Sequence, residues 1–393
     1  MQHTIPIVIV GAGIASLSAI KAIREHDRQT PIVLISNEDR LPYKRTQVNK
    51  FLAKGFMTDE FAIHPSEYYQ SEKVELRYGH VVRMDVADQT LVLADGSAIR
   101  YHKCLLALGH RHRTYTNPQI SDDKIFTVYT AEQSEKLRRH TLTHRTYFVL
   151  GSGVEGVEIA EQLAKMDKKV YLVHRSKGLL HNEFSPVISE MIKATLERNG
   201  IECLEHDLEE TGFQSDGAYV SLSHAEKIYY ADAIVSCIGS EPRTELAQQA
   251  GLATDKGILA DNCFNTSNAN VYAAGNVAQL PQNSHCRLWH HAEAQGFCAG
   301  LNLIGRQCTY QSKPFRLKTE LFNQFFYSHN YENVNADMQK RTERNNQIYR
   351  ELYLDNGRIK AILMVNDKAR AKTYQEAVWN SWTIDEIRSK LPL

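Results

Sequence analysis

"TYFVLGSGVEGVEIAEQLAKMDKKVYLVHRS", residues 146–176, decides the fold of this chain. It opens on an apolar run with strand character. Gly151, Gly153 and Gly156 then stand in full GxGxxG spacing. A helical pattern follows, and "KVYLV" returns to strand character. In such a unit the first glycine permits the tight turn and the second lets the backbone approach a pyrophosphate. Amides at the start of the next helix face the phosphates. One GxGxxG is weak. The strand before it and the helix and strand after it supply the context that a dinucleotide site requires.

The pattern also occurs upstream. "IPIVIVGAGIASLSAIKAIRE", residues 5–25, is a β-branched run, a Gly-x-Gly and a helical pattern. Short apolar runs of this kind are strands buried on both faces. Gly11 and Gly13 take the turn positions, and Ser16 stands at the third. The next strand, "PIVLIS", ends near Glu38, about twenty residues after the turn, where an acid binds ribose hydroxyls. Glu38 is either that acid or a solvated loop carboxylate, and its spacing favours the first. Two units in full context outweigh the alternative of two ligand-free glycine turns. Between them lie a hairpin turning at Asp95-Gly96 and a buried strand, "CLLALG". After the second unit, "ILADNCFNTSNANVYAAGN" regains strand character. This order predicts a doubly wound α/β chain with one Rossmann-like domain inserted in another. The divisions fall at 1–112 with 233–309, then 113–232, then a C-terminal α+β domain over 310–393.

Composition agrees. A chain of 393 residues holds two or three domains. Lys plus Arg and Asp plus Glu each number 46, so no bulk charge points to nucleic acid or a membrane. The seven cysteines form no CxxC, and a scattered odd set suits a reducing compartment better than a disulfide framework. The histidines show no HxxxH or HExxH spacing, so no metal site is expected. The apolar N-terminus lacks a basic n-region and reads as a buried strand. No run is long enough to span a bilayer. A cytoplasmic protein is the expectation.

Five further segments carry a resemblance: "LPYKRTQVNKFL", "LLALGHRHR", "IVSCIGSEPRTELAQQAGL", "ILADNCFNTSNANVYAAGNVA" and "FRLKTELF". With the two glycine turns they make the chain similar, along nearly its whole length, to FAD-dependent pyridine nucleotide-disulfide oxidoreductases of the rubredoxin/ferredoxin reductase type. The resemblance implies FAD in the split domain, NADH or NADPH in the inserted one, and hydride transfer between them. Electrons would then pass to a small carrier, a rubredoxin or ferredoxin. It implies a monomer or homodimer.

The same resemblance assigns the site residues. Gly275 and the residue after it hold the flavin's ribityl chain. That residue is usually aspartate, and here it is Asn276, which keeps an acceptor but loses the charge-assisted strength. Ser16 for glycine and Leu108 for threonine are two further departures. Arg45 and Lys50 lie in the segment beside the flavin, where a cation stabilises the anion formed as hydride arrives. Each reads otherwise as a surface charge. Lys318, in "LKTE", is a third candidate for that edge. Glu158 matches a glutamate near the nicotinamide, or is an acid favoured by the first helical turn. Ala15, Val82, Gly109 and Gly239 are further cofactor-binding positions. Glu155 replaces a usual apolar residue and needs a partner if buried, Lys50 being a candidate.

"LVHRSKG" bears on the reductant. An acid after this strand would bind the NADH 2′-hydroxyl and repel a 2′-phosphate. His174, Arg175 and Ser176 stand there instead, and Arg175 can pair with a phosphate. This favours NADPH or use of both. "HHAEAQGFCAGLNLIG" predicts a helix from about His291 to Ile304 whose N-terminus faces the flavin. Residues 40–60 contain no cysteine, so electrons are expected to leave the flavin without a thiol relay. Arg111, Arg113 and Lys318 offer cations to steer an acidic carrier. Two other readings remain open: an NAD(P)H oxidase or reductase of a small molecule, and a nucleotide-binding interaction protein with weak turnover.

Overall fold

The computed structural model describes residues 5–57, 59–175, 178–207, 212–281 and 288–393. Ser176 and Cys286 lie outside the described residues. The strand Ile7–Val10 is buried along its length, as is Ile32–Ser36, so both read as continuous apolar runs. They form the middle of a five-stranded sheet ordered 271–273, 103–106, 7–10, 32–36, 74–78, with every pairing parallel. Val271–Ala273 comes from beyond the second glycine unit, so the first domain is discontinuous. Helix Ile14–Arg24 follows the first turn and packs against helix Trp289–Leu303. A Cβ at Gly296 or Gly300 would collide with the backbone of Ala15 or Ala19, which is how closely the two helices approach.

The second sheet is also parallel, ordered 201–205, 169–174, 146–150, 233–236, 125–126. The strand Ala233–Ser236 pairs with Tyr147–Leu150 in this sheet. The return to the first domain therefore comes after 236, not at 233. Its apolar run could not by itself show which sheet it joins. The outgoing and returning chains meet in an antiparallel ribbon, His110–His112 against Ser240–Pro242.

The tail forms a five-stranded antiparallel sheet ordered 316–321, 324–329, 358–365, 349–355, 339–344. Asn356 and Gly357 turn its central hairpin, both with positive φ, as a tight two-residue turn demands. One core joins all three parts. Tyr43, Val48, Leu52 and Phe56 from the segment after the first unit pack with Val157 and Ile159 of the second and Leu321 and Phe326 of the tail. A buried carboxylate, Glu351, sets the contact between the second unit and the tail. It accepts from Ser185 Oγ at 2.9 Å, Tyr349 Oη at 2.7 Å, Tyr353 Oη at 2.6 Å and Lys340 Nζ at 2.9 Å.

The cysteines depart from the sequence reading in one place. Cys298 and Cys308 form a disulfide with Cα atoms 5.4 Å apart. Cys298 lies within helix Trp289–Leu303 and Cys308 on the chain that follows it, an approach that spacing does not reveal. Among the described residues no helix is long and apolar enough to cross a membrane.

Candidate functional site

The two glycine turns open on one cavity of about 1620 Å³. At Gly11, φ is +103° and a Cβ would strike the Ala107 carbonyl; at Gly151, φ is +119° and it would strike that of Cys237. Both turns therefore require glycine for a positive φ and a close strand. Gly13 and Gly153 face open space, which leaves the backbone approachable from the cavity. Gly109, Gly239 and Gly275, all at positive φ, line the same space. Ala15, on the first turn of its helix, lines it too.

On the first wall, Tyr43 Oη donates to Glu38 Oε2 at 2.7 Å, and Arg45 pairs with Glu38 Oε1. The Arg45 guanidinium also lies over the Tyr43 and Tyr129 rings, 5.0 and 5.1 Å from their centroids. Tyr129 carries no motif and was not legible in the sequence. Glu38 is thus a held carboxylate, each oxygen keeping a lone pair for a further donor. Asn276 Nδ2 lies 2.7 Å from His110 Nδ1. Its Oδ1 is buried without a hydrogen-bond partner. Gln295 Oε1 accepts from the Gly275 amide at 2.8 Å, tying the Trp289–Leu303 helix to this turn. Gln295 was also missed, since only its fold neighbour gives it a role. Leu108 lines the cavity and packs against the core behind it.

On the second wall, Glu158 is buried. Its Oε1 accepts from Thr319 Oγ1 at 3.1 Å and lies 3.4 Å from Lys50 Nζ. Burial pushes its carboxyl up to about 7, against the pull of Lys50. Lys50 therefore pairs with Glu158 and not with Glu155, because Glu155 points the other way. Glu155 Oε1 lies 3.0 Å from His112 Nε2. Lys318 lines the cavity beside this pair, its ammonium 5.8 Å from the Tyr327 centroid. Burial and the neighbouring Arg316 and Lys372 lower its pKa.

His174 closes its strand, and its Nδ1 lies 2.9 Å from the Arg175 carbonyl. Its Nε2, like Arg243 Nε, is buried without a hydrogen-bond partner, and both residues line the cavity. Arg175 lines the mouth and is exposed.

Two expectations need correction. Val82 is exposed on its hairpin strand, at a register shift between Val81 and Arg83 that turns it to solvent, and lies outside the cavity lining. Arg111 is tied to Glu241 at 2.7 Å and to Glu245, and Arg113 lies 3.6 Å from Glu241, so carboxylates cancel this steering charge locally. A cysteine does reach the cavity: Cys237, at the end of the strand Ala233–Ser236. Burial and the nearby Glu155 hold its thiol well above the usual range, so it is no ready thiolate.

Comparison with known proteins places this geometry. The pyridine nucleotide-disulphide oxidoreductase family matches residues 5–296. The chain is 30% identical over 331 residues to the anthranilate 1,2-dioxygenase system ferredoxin–NAD(+) reductase component of Burkholderia cepacia, covering 79% of this chain and 78% of that one. It is 31% identical over 281 residues to the rubredoxin–NAD(+) reductase of Alcanivorax borkumensis, covering 70% and 72%. Among solved structures, the ferredoxin reductase for the CYP199A2 system of Rhodopseudomonas palustris shares the fold. It superposes with a TM-score of 0.86 at 23% identity, over 97% of this chain and 96% of that one. The paired turns, their shared cavity and these likenesses agree: the chain belongs to the pyridine nucleotide-disulphide oxidoreductase family.

Proposed function

We propose that this chain is an FAD-dependent NAD(P)H reductase of a small iron electron carrier, a rubredoxin or ferredoxin. One observation carries the reading. Both glycine turns meet in a single cavity where Asn276 Oδ1, His174 Nε2 and Arg243 Nε are buried without hydrogen-bond partners. Buried polar atoms without partners are costly unless a ligand satisfies them. The split domain is assigned to FAD and the inserted one to the dinucleotide. When bound, FAD supplies the step from hydride transfer to single-electron release.

The protein's own groups orient and balance charge. Glu38, held by Tyr43 and Arg45, offers carboxylate oxygens to ribose hydroxyls. Asn276 Oδ1 offers an acceptor to the ribityl chain. Lys50 and Lys318 bring positive charge to the cavity, and Glu158 holds or releases a proton near neutral pH. Arg175 stands where NADH-specific sites carry an acid, so both dinucleotides are accepted and NADPH is favoured. Among the described residues no thiolate relay faces the cavity, which leaves direct transfer to the carrier. Steering then falls to Lys318 and its neighbours Arg316 and Lys372 rather than to Arg111 and Arg113.

The test is anaerobic turnover of FAD-loaded chain with NADPH or NADH and a rubredoxin or [2Fe–2S] ferredoxin. Carrier reduction should outpace reduction of oxygen in air and slow as salt screens the approach. Turnover that ignores the carrier and tracks oxygen would make the chain an oxidase instead. Asn276→Leu should lower flavin retention after gel filtration, and unchanged retention would remove Asn276 from the flavin site.

A further inference from the structure

We propose that His110, His112 and Glu155 form a binding site for one divalent first-row transition-metal ion. The residues come from two segments far apart in the chain. His110 and His112 alternate on the crossover strand His110–His112, so both rings fall on one face. The rings are stacked, 10° apart in plane with centroids at 5.7 Å. Glu155 comes from the first turn of helix Val154–Ala164, beyond the second glycine turn. One ligand atom from each of the three lies within 4.8 Å of the others.

The local geometry suits ligation better than an ordinary ion pair. The His112 side chain is only 3% exposed, and its Nε2 stands 3.0 Å from Glu155 Oε1. That nitrogen is nonetheless without a hydrogen bond, so the contact is close but off the donor line. Two ligand atoms bound to one tetrahedral zinc lie roughly 3.3 Å apart, close to this spacing. Glu155 is the mobile member, its side chain 35% exposed, and its rotation closes the wider separations. The histidines are held in place: Tyr129 packs on both rings, with centroids 4.6 and 4.7 Å away. Asn276 Nδ2 lies 2.7 Å from His110 Nδ1 and helps to hold that ring.

The donor set names the class of ion. Two imidazoles and a carboxylate suit zinc, iron, cobalt or nickel, whereas magnesium and calcium prefer all-oxygen sites. Three protein ligands leave coordination positions open toward the cavity. No spacing in the sequence shows this site, because Glu155 is brought to the histidines only by the meeting of the two domains.

The test is calorimetric titration of ZnCl2 into the purified, chelator-treated full chain with its flavin in place. The site is expected to take one ion per chain. His112→Gln and Glu155→Gln should each weaken binding by about tenfold or more. Flavin absorbance and the unfolding midpoint of each variant, measured on the same samples, should match the parent. No stoichiometric binding by the parent, or an affinity equal to the parent's in both variants, would overturn the site and leave His112 and Glu155 a simple contact.

Discussion

The two glycine turns share a spacing and part company at the third position. In the second turn a Cβ on Gly156 would strike the Gly151 carbonyl, so helix and strand meet with no room for a side chain. In the first turn that position is Ser16, fully buried, and its hydroxyl donates to the Gly11 carbonyl. A serine therefore stands where the other turn tolerates only hydrogen, and its hydroxyl satisfies an oxygen that close packing would otherwise cover. Four positions into each helix the difference widens. Ser18 on the first helix and Glu158 on the second hold equivalent places seven residues after the first glycine, and only Glu158 is ionisable. A shared fingerprint thus fixes the turn but not its electrostatics.

The comparison breaks most sharply at Gly156. Gly156→Ser should cost about 4 kcal/mol, or abolish folding, because the colliding atom is backbone and cannot rotate away. Denaturant unfolding would measure it. A loss below about 1 kcal/mol would show that the second turn opens as the first does.

Glu158 gives the next effect. Burial raises its carboxyl from an ordinary 4.5 to about 7, so the folded chain holds a proton that the unfolded chain releases. The stability this contributes is fully present below pH 4.5 and lost as pH rises through about 7. The loss is on the order of 3 kcal/mol for a group so buried. Glu158→Gln should flatten that slope in unfolding free energy between these pH values. Glu351 behaves oppositely. Burial pushes its carboxyl up, but hydroxyls from Tyr353, Tyr349 and Ser185 and the Lys340 ammonium outweigh that and lower it. Its contribution is present above the ordinary carboxylate range and fades in acid. The contrast is one of donors: the buried carboxylate with several stays charged, and the one with few does not.

Arg175→Glu should raise the KM for NADPH about tenfold relative to that for NADH, since a carboxylate repels a 2′-phosphate. Steady-state kinetics with both reductants would show it, and an unchanged ratio would remove Arg175 from recognition. The smallest effect belongs to Ser16→Gly, a loss of about 1 kcal/mol or less from one hydrogen bond and added chain freedom. A larger loss in thermal unfolding would mean that the first turn depends on its serine as the second depends on its glycine.

Much of the architecture was legible because it rests on local pattern. Apolar runs buried on both faces, glycines at fixed offsets and the Asp95-Gly96 turn each act within a few residues. The turn glycines rest on the same short-range pattern, whereas Asn276 was named only through the resemblance of its segment. Val82 was misplaced because a match in order does not say which side of a strand faces the ligand. Tyr129, Gln295 and Cys237 were missed because no local spacing marks them.

The sequence by itself determined two strand–turn–helix units, the inserted order of the domains and the glycine positions at the cavity, since steric rules for turns and strands are short-range. Only the tertiary structure decided the partners. Lys50 met Glu158, Glu155 met His112, Arg111 met Glu241, and the strand Ala233–Ser236 joined the second sheet. Charge pairing and sheet membership depend on distances between segments far apart in the chain. Those distances are set when the three parts pack around their common core.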